Sequence, residues 1–357
     1  MGDEILLSIC IPSYNRFWSV KKTLESILKC GSKEIEVVIL DNCSPQNIED
    51  EILIKDPRIH IYKQSAPVPG PNNVEESLDY GVGKYRMICL DKDMVHGEYL
   101  DEFLSCLRLN PNLTGGYCLL KSTNAGINND FYPANDMYKH AYCGMHPSGM
   151  FFRKDIVEKD REQTKYYEKK SVFYGNPFMF DLLLARAYSS GMCMYYKNRL
   201  ITIERPEDSI KIQSFSFKKE NNNLFFLPDN RIDQMEINFL HLKSLNVTDE
   251  IYNKTVAAIC NRTMRQATYD YKSLMRNKME CHHYRLEMKD IPNDELKKNA
   301  KKTVDRILLT RYLTLSKTKR EKVARSAYFH GYVLSKAKQA IKNIINRWYQ
   351  GEKFETK

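Results

Sequence analysis

Over the first ninety residues, largely apolar or β-branched runs alternate with segments in which apolar residues return every three or four positions. Leu6–Ile11, Ile35–Leu40, Ile59–Tyr62 and Tyr85–Leu90 are of the first kind, the pattern of strands buried on both faces of a parallel sheet. Between the first two, Val20, Thr23, Leu24, Ile27 and Leu28 follow helical spacing. This predicts a helical crossover, with Gly31 placed to cap its end. A helix near Tyr99–Leu107, strands near Tyr117–Leu120 and Met150–Phe152, a helix near Pro177–Tyr188, and short strands at Met192–Tyr196 and Leu200–Ile203 continue the alternation to Arg205-Pro206. Residues 207–247 are then polar and Asn-rich, and 248–349 carry helical periodicity without strand alternation. The expectation is an α/β unit over 1–215, a mostly parallel sheet flanked by helices, followed by a mainly helical region over 216–357. Two stripes there need a cover: Val304, Ile307, Leu308, Tyr312 and Leu315, and Leu334, Ala337, Ile341, Ile344, Ile345 and Trp348.

Composition narrows the class. A chain of 357 residues with 42% hydrophobic and 28% charged positions excludes disordered and fibrous readings. The net charge of +10 is local: residues 271–357 hold 22 Lys/Arg against 9 Asp/Glu, and the rest of the chain is slightly acidic. Ten scattered cysteines without a C-x-x-C pair read as buried thiols in a reducing compartment and argue against a disulfide framework or a zinc ribbon. With no basic leader before the first strand and no long uncharged apolar window, the chain reads as cytoplasmic without a membrane span.

The candidate chemistry gathers at strand ends. Asp91-Lys92-Asp93 follows the strand at Tyr85–Leu90, and an i, i+2 spacing in extended chain points both carboxylates to one side. Such a pair suits Mg²⁺ or Mn²⁺, which take one or two carboxylates and complete their shell with water and phosphate. The triplet alone carries little weight. Its position carries more, because Asp41 and the Pro12-Ser13-Tyr14-Asn15-Arg16 turn also fall at the carboxyl ends of predicted strands, where open α/β sheets bind ligands.

In order and spacing, Leu7–Arg16, Glu36–Ser44 and Met87–Asp93 resemble the family 2 glycosyltransferases of GT-A fold, over about residues 5–205. That resemblance implies inverting transfer of a sugar from a nucleotide diphosphate donor, UDP-sugars favoured, to a glycan or lipid-linked saccharide in surface or capsular polysaccharide synthesis. It implies that Pro12, Ser13, Tyr14 and Arg16 line the nucleoside site, that Asp41 meets the base, that Asp91 meets the ribose or a metal-bound water, and that Asp93 holds Mn²⁺ or Mg²⁺. Asn42 stands where a second acid is usual, Cys43 where a glycine is usual, and Lys92 where a small residue is common. The segment from Pro177 to Arg186 resembles the family's acidic helix start, followed by a basic residue and Gly191. Its one acid, Asp181, is the candidate base, although measured back from Arg186 the family's base falls at Phe180. Apolar neighbours would raise the pKa of Asp181 if they enclose it. His146, Ser148 and Gly149 match a loop facing donor sugar and acceptor, and Gly70-Pro71-Asn72-Asn73 lies near the place of an Asn-bearing turn by the diphosphate.

Two other classes compete. A nucleotidyltransferase on a similar sheet needs a Gly-rich basic loop after the first strand, and Pro12–Trp18 has no glycine. A non-catalytic polyanion-binding module would use the basic C-terminal region. With no nucleic-acid motif present, the partner there would be an anionic membrane at the inner face of the plasma membrane, the acceptor, or a second copy of the chain.

Overall fold

The computed structural model describes residues 4–118, 129–168, 176, 178–203, 224–284 and 286–341. It divides into two units, Met1–Asn221 and Asn222–Lys357. The boundary expected near residue 215, residues 119–120 of one predicted strand, Pro177, Arg205, Pro206, and Ile344, Ile345 and Trp348 of the last stripe lie outside the described residues.

In the first unit an eight-stranded sheet is built from β1 (Leu7–Ser13), β2 (Ile35–Asp41), β3 (Ile59–Lys63), β4 (Tyr85–Ile88), β6 (Leu113–Cys118), β7 (Asp130–Tyr132), β8 (Met150–Arg153) and β9 (Met192–Tyr196), in the order β3-β2-β1-β4-β8-β6-β9-β7. The pairs β1–β2, β1–β4, β2–β3 and β6–β9 are parallel, whereas β8 runs antiparallel to both neighbours and β7 antiparallel to β9. A two-stranded antiparallel pair joins β5 (Met94–Val95) to β10 (Ile201–Thr202). Every residue of β1, β2 and β4 is buried, as their composition predicted, while β3 at the sheet edge is half-exposed.

Helices cover both faces. Leu7, Ile9 and Ile11 share a core with Val20, Leu24 and Ile27 of α1 (Phe17–Ile27) and with Phe103, Leu104 and Leu107 of α4 (Leu100–Leu109). The opposite face receives α3 (Gly70–Asp79), α6 (Lys154–Glu168) and α7 (Met179–Ser190), and α2 (Ile48–Ile52) and α5 (Met137–His140) are short. Helix α1 does not end on Gly31. Leu28 closes it in a right-handed conformation, and turn bonds from Lys29 N–H to Ser26 and from Cys30 N–H to Ile27 tighten the exit. The Gly70–Asn73 segment is the first turn of α3 rather than a free turn, with Pro71 at a position where a missing N–H costs nothing.

The amino ends of the strands are locked by polar contacts. Buried Glu36 accepts from Ser8 Oγ (2.5 Å) and from Val82 N–H (2.6 Å), and Gly83 N–H donates to Ser8 Oγ (2.8 Å). Beside them Arg58 pairs with Asp56 and donates to the carbonyls of Cys30 (2.6 Å) and Ser32 (3.1 Å).

The second unit is helical: α8 (Pro228–Ser244), α9 (Asp249–Arg265), α10 (Tyr271–Met275), α11 (Lys278–His283), α12 (Asn293–Leu309) and α13 (Lys317–Ala327), with wide helical turns at Gln266–Asp270 and Tyr328–Val333. Its core includes Ile232, Met235, Phe239, Val256, Ile259, Leu296 and Ile307. Thr248 caps α9 by accepting from Ile251 N–H, and Arg306 of α12 bridges Asp233 and Glu236 of α8. Gly331 sits so close to α9 that a Cβ would meet Asn261 O at 2.7 Å. Of the predicted stripes, Ile307 is buried and Val304 and Leu308 are half-buried, whereas Ala337 and Ile341 are exposed. No helix among the described residues is long and apolar enough to cross a membrane.

Candidate active site

At the carboxyl ends of β1, β2 and β4 three turns meet. Asn15, after β1, adopts φ 52° and donates its N–H to Ser44 Oγ (2.8 Å); Cys43, after β2, adopts φ 60°. A left-handed residue is required there, which accounts physically for the glycine common at that place in the family. Ser44 also binds Asp41: its N–H reaches Oδ2 at 3.1 Å and its hydroxyl donates to Oδ1. Asp41 is fully buried, with Lys63 Nζ 3.9 Å from Oδ2. Asn42 is buried too, and its amide both donates to Val68 O (2.9 Å) and accepts from Val68 N–H (2.9 Å). A carboxylate could only accept, so the Asn standing where an acid is usual fastens the approach to α3.

The pair after β4 divides. Asp91 accepts from Arg16 (2.7 Å) and from Tyr14 N–H (3.2 Å), so the β1 turn and the acidic segment hold each other. Burial pushes the Asp91 carboxyl above its ordinary range, against the pull of Arg16 and the Tyr14 N–H. Asp93 turns the other way. Its Oδ2 accepts from Ser148 Oγ (2.5 Å) and contacts His146 Nε2, while Ser148 Oγ accepts from Leu90 N–H (2.9 Å). Thr23 of α1 fixes the backbone behind it, donating to Asp93 O (3.1 Å) and accepting from Val95 N–H (3.2 Å).

Asp93 Oδ1 is buried and has no hydrogen-bond partner among the described residues. An unpartnered carboxylate oxygen in a buried site is costly unless a ligand completes it. This donor set fits a hard divalent cation held through Asp93, with Asp91 committed to Arg16. Among the described residues no group of three or more His, Cys, Asp or Glu could hold a metal, so water and phosphate would supply most of the shell.

Asp181 lies buried in the first turn of α7, and its Oδ2 accepts from Gly144 N–H (2.5 Å), in the loop that leads to His146. Tyr117, at the end of β6, is near both acids: burial pushes its hydroxyl well above the ordinary range, and Cys118, Asp93 and Asp181 add to the effect. Arg186, the basic reference of that motif, is bound to Asp160 (2.6 Å) and Gln163 of α6 and so ties two helices together. Gly149 has φ 89° and a Cβ there would meet Cys118 O at 2.9 Å, while its own N–H and C=O pair with Ile88 and Cys118. Its glycine is explained by sheet geometry. Pro12 and Ser13 are buried in β1, opposite Leu40 and Asp41.

The structure thus joins Tyr14, Arg16 and Asp91 in one cluster and Asp93, His146 and Ser148 in a second. Ser44 and Thr23 had no assigned role. For Ser44 the Asp-x-x-Ser spacing carried a signal, since side chains so placed close turns on backbone N–H groups.

Residues 8–104 match the family model described as Glycosyl transferase family 2. The resemblance to the family 2 glycosyltransferases therefore holds over this segment. An uncharacterized glycosyltransferase of Haemophilus influenzae is 30% identical over 112 residues, 30% of this chain and 36% of that protein, so the match spans about a third of the curated relative. S. aureus TarS 1–349, solved with UDP-GlcNAc, aligns at TM-score 0.57 and 13% identity over 93% of this chain and 92% of that one. A longer S. aureus TarS structure aligns at TM-score 0.53 and 13% identity over 92% and 54%. The first unit therefore has the GT-A fold, and a helical C-terminal region follows it in the chain.

Proposed function

We propose that this family 2 protein transfers a glycosyl group from a nucleotide diphosphate sugar, UDP-sugars favoured, to a hydroxyl of a glycan or lipid-linked saccharide, with inversion. The observation that carries this reading is the buried Oδ1 of Asp93 at the strand rim, without a partner among the described residues, beside the Arg16–Asp91 pair. The UDP-GlcNAc in the complex of S. aureus TarS 1–349 supports the donor class.

Breaking the anomeric C–O bond leaves negative charge on the departing diphosphate, and catalysis follows from stabilising charge where it develops. Mn²⁺ or Mg²⁺ bound through Asp93 would supply that stabilisation. Ser148 and His146 hold Asp93 Oδ2, so the carboxylate is oriented before the donor arrives. Tyr14 and Arg16 with Asp91 form the nucleoside side, with Pro12, Ser13 and Asp41 behind them. Asp181 takes the proton of the acceptor hydroxyl as its oxygen bonds to the anomeric carbon and the nucleoside diphosphate leaves from the opposite face. The Gly144 N–H fixes the orientation of that carboxylate. All ten cysteines are free, which supports action in a reducing cytoplasm.

The test is thermal stabilisation of the full chain by a panel of nucleotide sugars with Mn²⁺, followed by assay of donor hydrolysis and of product anomeric configuration. A donor that both stabilises the protein and is turned over is expected. Neither binding nor hydrolysis across the panel overturns the reading, and pyrophosphate release from UTP plus a sugar phosphate would replace it with nucleotidyl transfer.

A further inference from the structure

In the second unit, α12 and α13 form a helical hairpin that leaves an open groove of about 860 Å³, within the range of small-molecule sites. Its floor is apolar: Val304 and Leu308 of α12, Ala324 of α13 and Tyr328 just beyond it. Its rim is cationic. Lys297, Lys298 and Lys301, all exposed, line the first half of α12, and exposed Arg325 lies in the last turn of α13. In an antiparallel hairpin these are the same end. Asp294 and Glu321 leave the lining with a net positive charge. The groove therefore has a cationic end, and Val304 and Leu308 lie toward the hairpin turn with Glu321 beside them.

Charge selects the occupant. The chain's own last sixteen residues carry Lys342, Arg347, Lys353 and Lys357 against Glu352 and Glu355, so their net charge has the same sign as the rim. An anionic amphiphile complements both ends. Large apolar side chains on α12 and in the segment after α13 are exposed, Leu309 by 82%, Phe329 by 51% and Ile341 by 55%. Apolar side chains interspersed with lysine and arginine are the composition of surfaces that lie on anionic bilayers.

We propose that this groove seats one anionic membrane phospholipid, its phosphate between Lys297, Lys298, Lys301 and Arg325 and an acyl chain along Val304, Leu308 and Ala324. The inference goes beyond the proposed glycosyl transfer and is tested without a donor, so either can fail alone. The full chain is floated with vesicles of phosphatidylcholine alone and of phosphatidylcholine with phosphatidylglycerol. Binding is expected only to the second. Lys298→Glu with Lys301→Glu should weaken it about tenfold or more, whereas the same charge change at Lys278→Glu with Lys317→Glu, outside the groove, should weaken it less than about threefold. Leu308→Asp should also release the protein, and a short-chain phosphatidylglycerol should raise the melting temperature where glycerol phosphate does not. Equal loss from both lysine pairs, equal binding to neutral vesicles, or stabilisation by the chainless headgroup would each overturn the proposal.

Discussion

The two ends of the same three strands use buried carboxylates in opposite ways. At the amino ends, Glu36 accepts from the Ser8 hydroxyl and the Val82 N–H, and neighbouring Gly83 completes the Ser8 contact, so the cluster is closed. At the carboxyl ends, Asp93 is gripped by one oxygen only and its other oxygen is buried without a partner among the described residues. A satisfied buried carboxylate holds the sheet together, while a half-satisfied one spends stability on readiness for a ligand. The same residue class therefore reads as scaffold at one end and as chemistry at the other.

That contrast can be broken by substitution. Asp93→Asn should lower turnover by about 100- to 1,000-fold, in line with loss of one charge-stabilising group, with the melting temperature held or raised. A kinetic assay beside a thermal melt checks it, and a large stability loss would make Asp93 scaffold. Glu36→Ala leaves the Val82 N–H and the Ser8 hydroxyl without their acceptor and should cost about 2–4 kcal/mol in denaturant unfolding, with donor affinity per folded molecule unchanged. Ser148→Ala frees Asp93 Oδ2 from one donor and leaves Leu90 N–H unmet. It should weaken Mn²⁺ binding about tenfold by titration, and Ser148→Thr should restore part of it.

The smallest effect lies at the closed end, where Arg58 holds the Asp56 carboxyl below its usual range. A depressed folded-state value means the pair's contribution is complete above the unfolded value and fades as pH falls through the folded one. The stability gap between the native chain and Asp56→Asn, under about 1 kcal/mol for this partly exposed pair, should close as pH drops from about 5 to 2.

Much of this architecture was legible in the residues. β1, β2 and β4 announce themselves because both faces are buried, so side chains on either side must be apolar or specifically paired. β5 and β7, two and three residues long, are too short to display alternation. Helix α3 hid behind Gly70-Pro71, which reads as a turn until the proline is recognised as a first-turn residue. The insertion of β8 between β4 and β6 is a choice of distant partner that no local pattern records. At the rim, motif spacing located Asp41, Asp91 and Asp93, but the partners of the last two are nonlocal: Ser148 lies 55 positions from Asp93, and its hydroxyl serves that carboxylate and the Leu90 N–H. The helical stripe from Leu334 to Trp348 needed a cover, and of its members Ala337 and Ile341 are exposed among the described residues.

The clamp on Asp93 also limits how this protein can be recombined. The segment shared with the family, residues 8–104, contains the carboxylate but neither His146 nor Ser148. A chimera that imports the first hundred residues from a relative must import the 146–149 loop from the same parent, or the graft will fold around an acid that nothing aims.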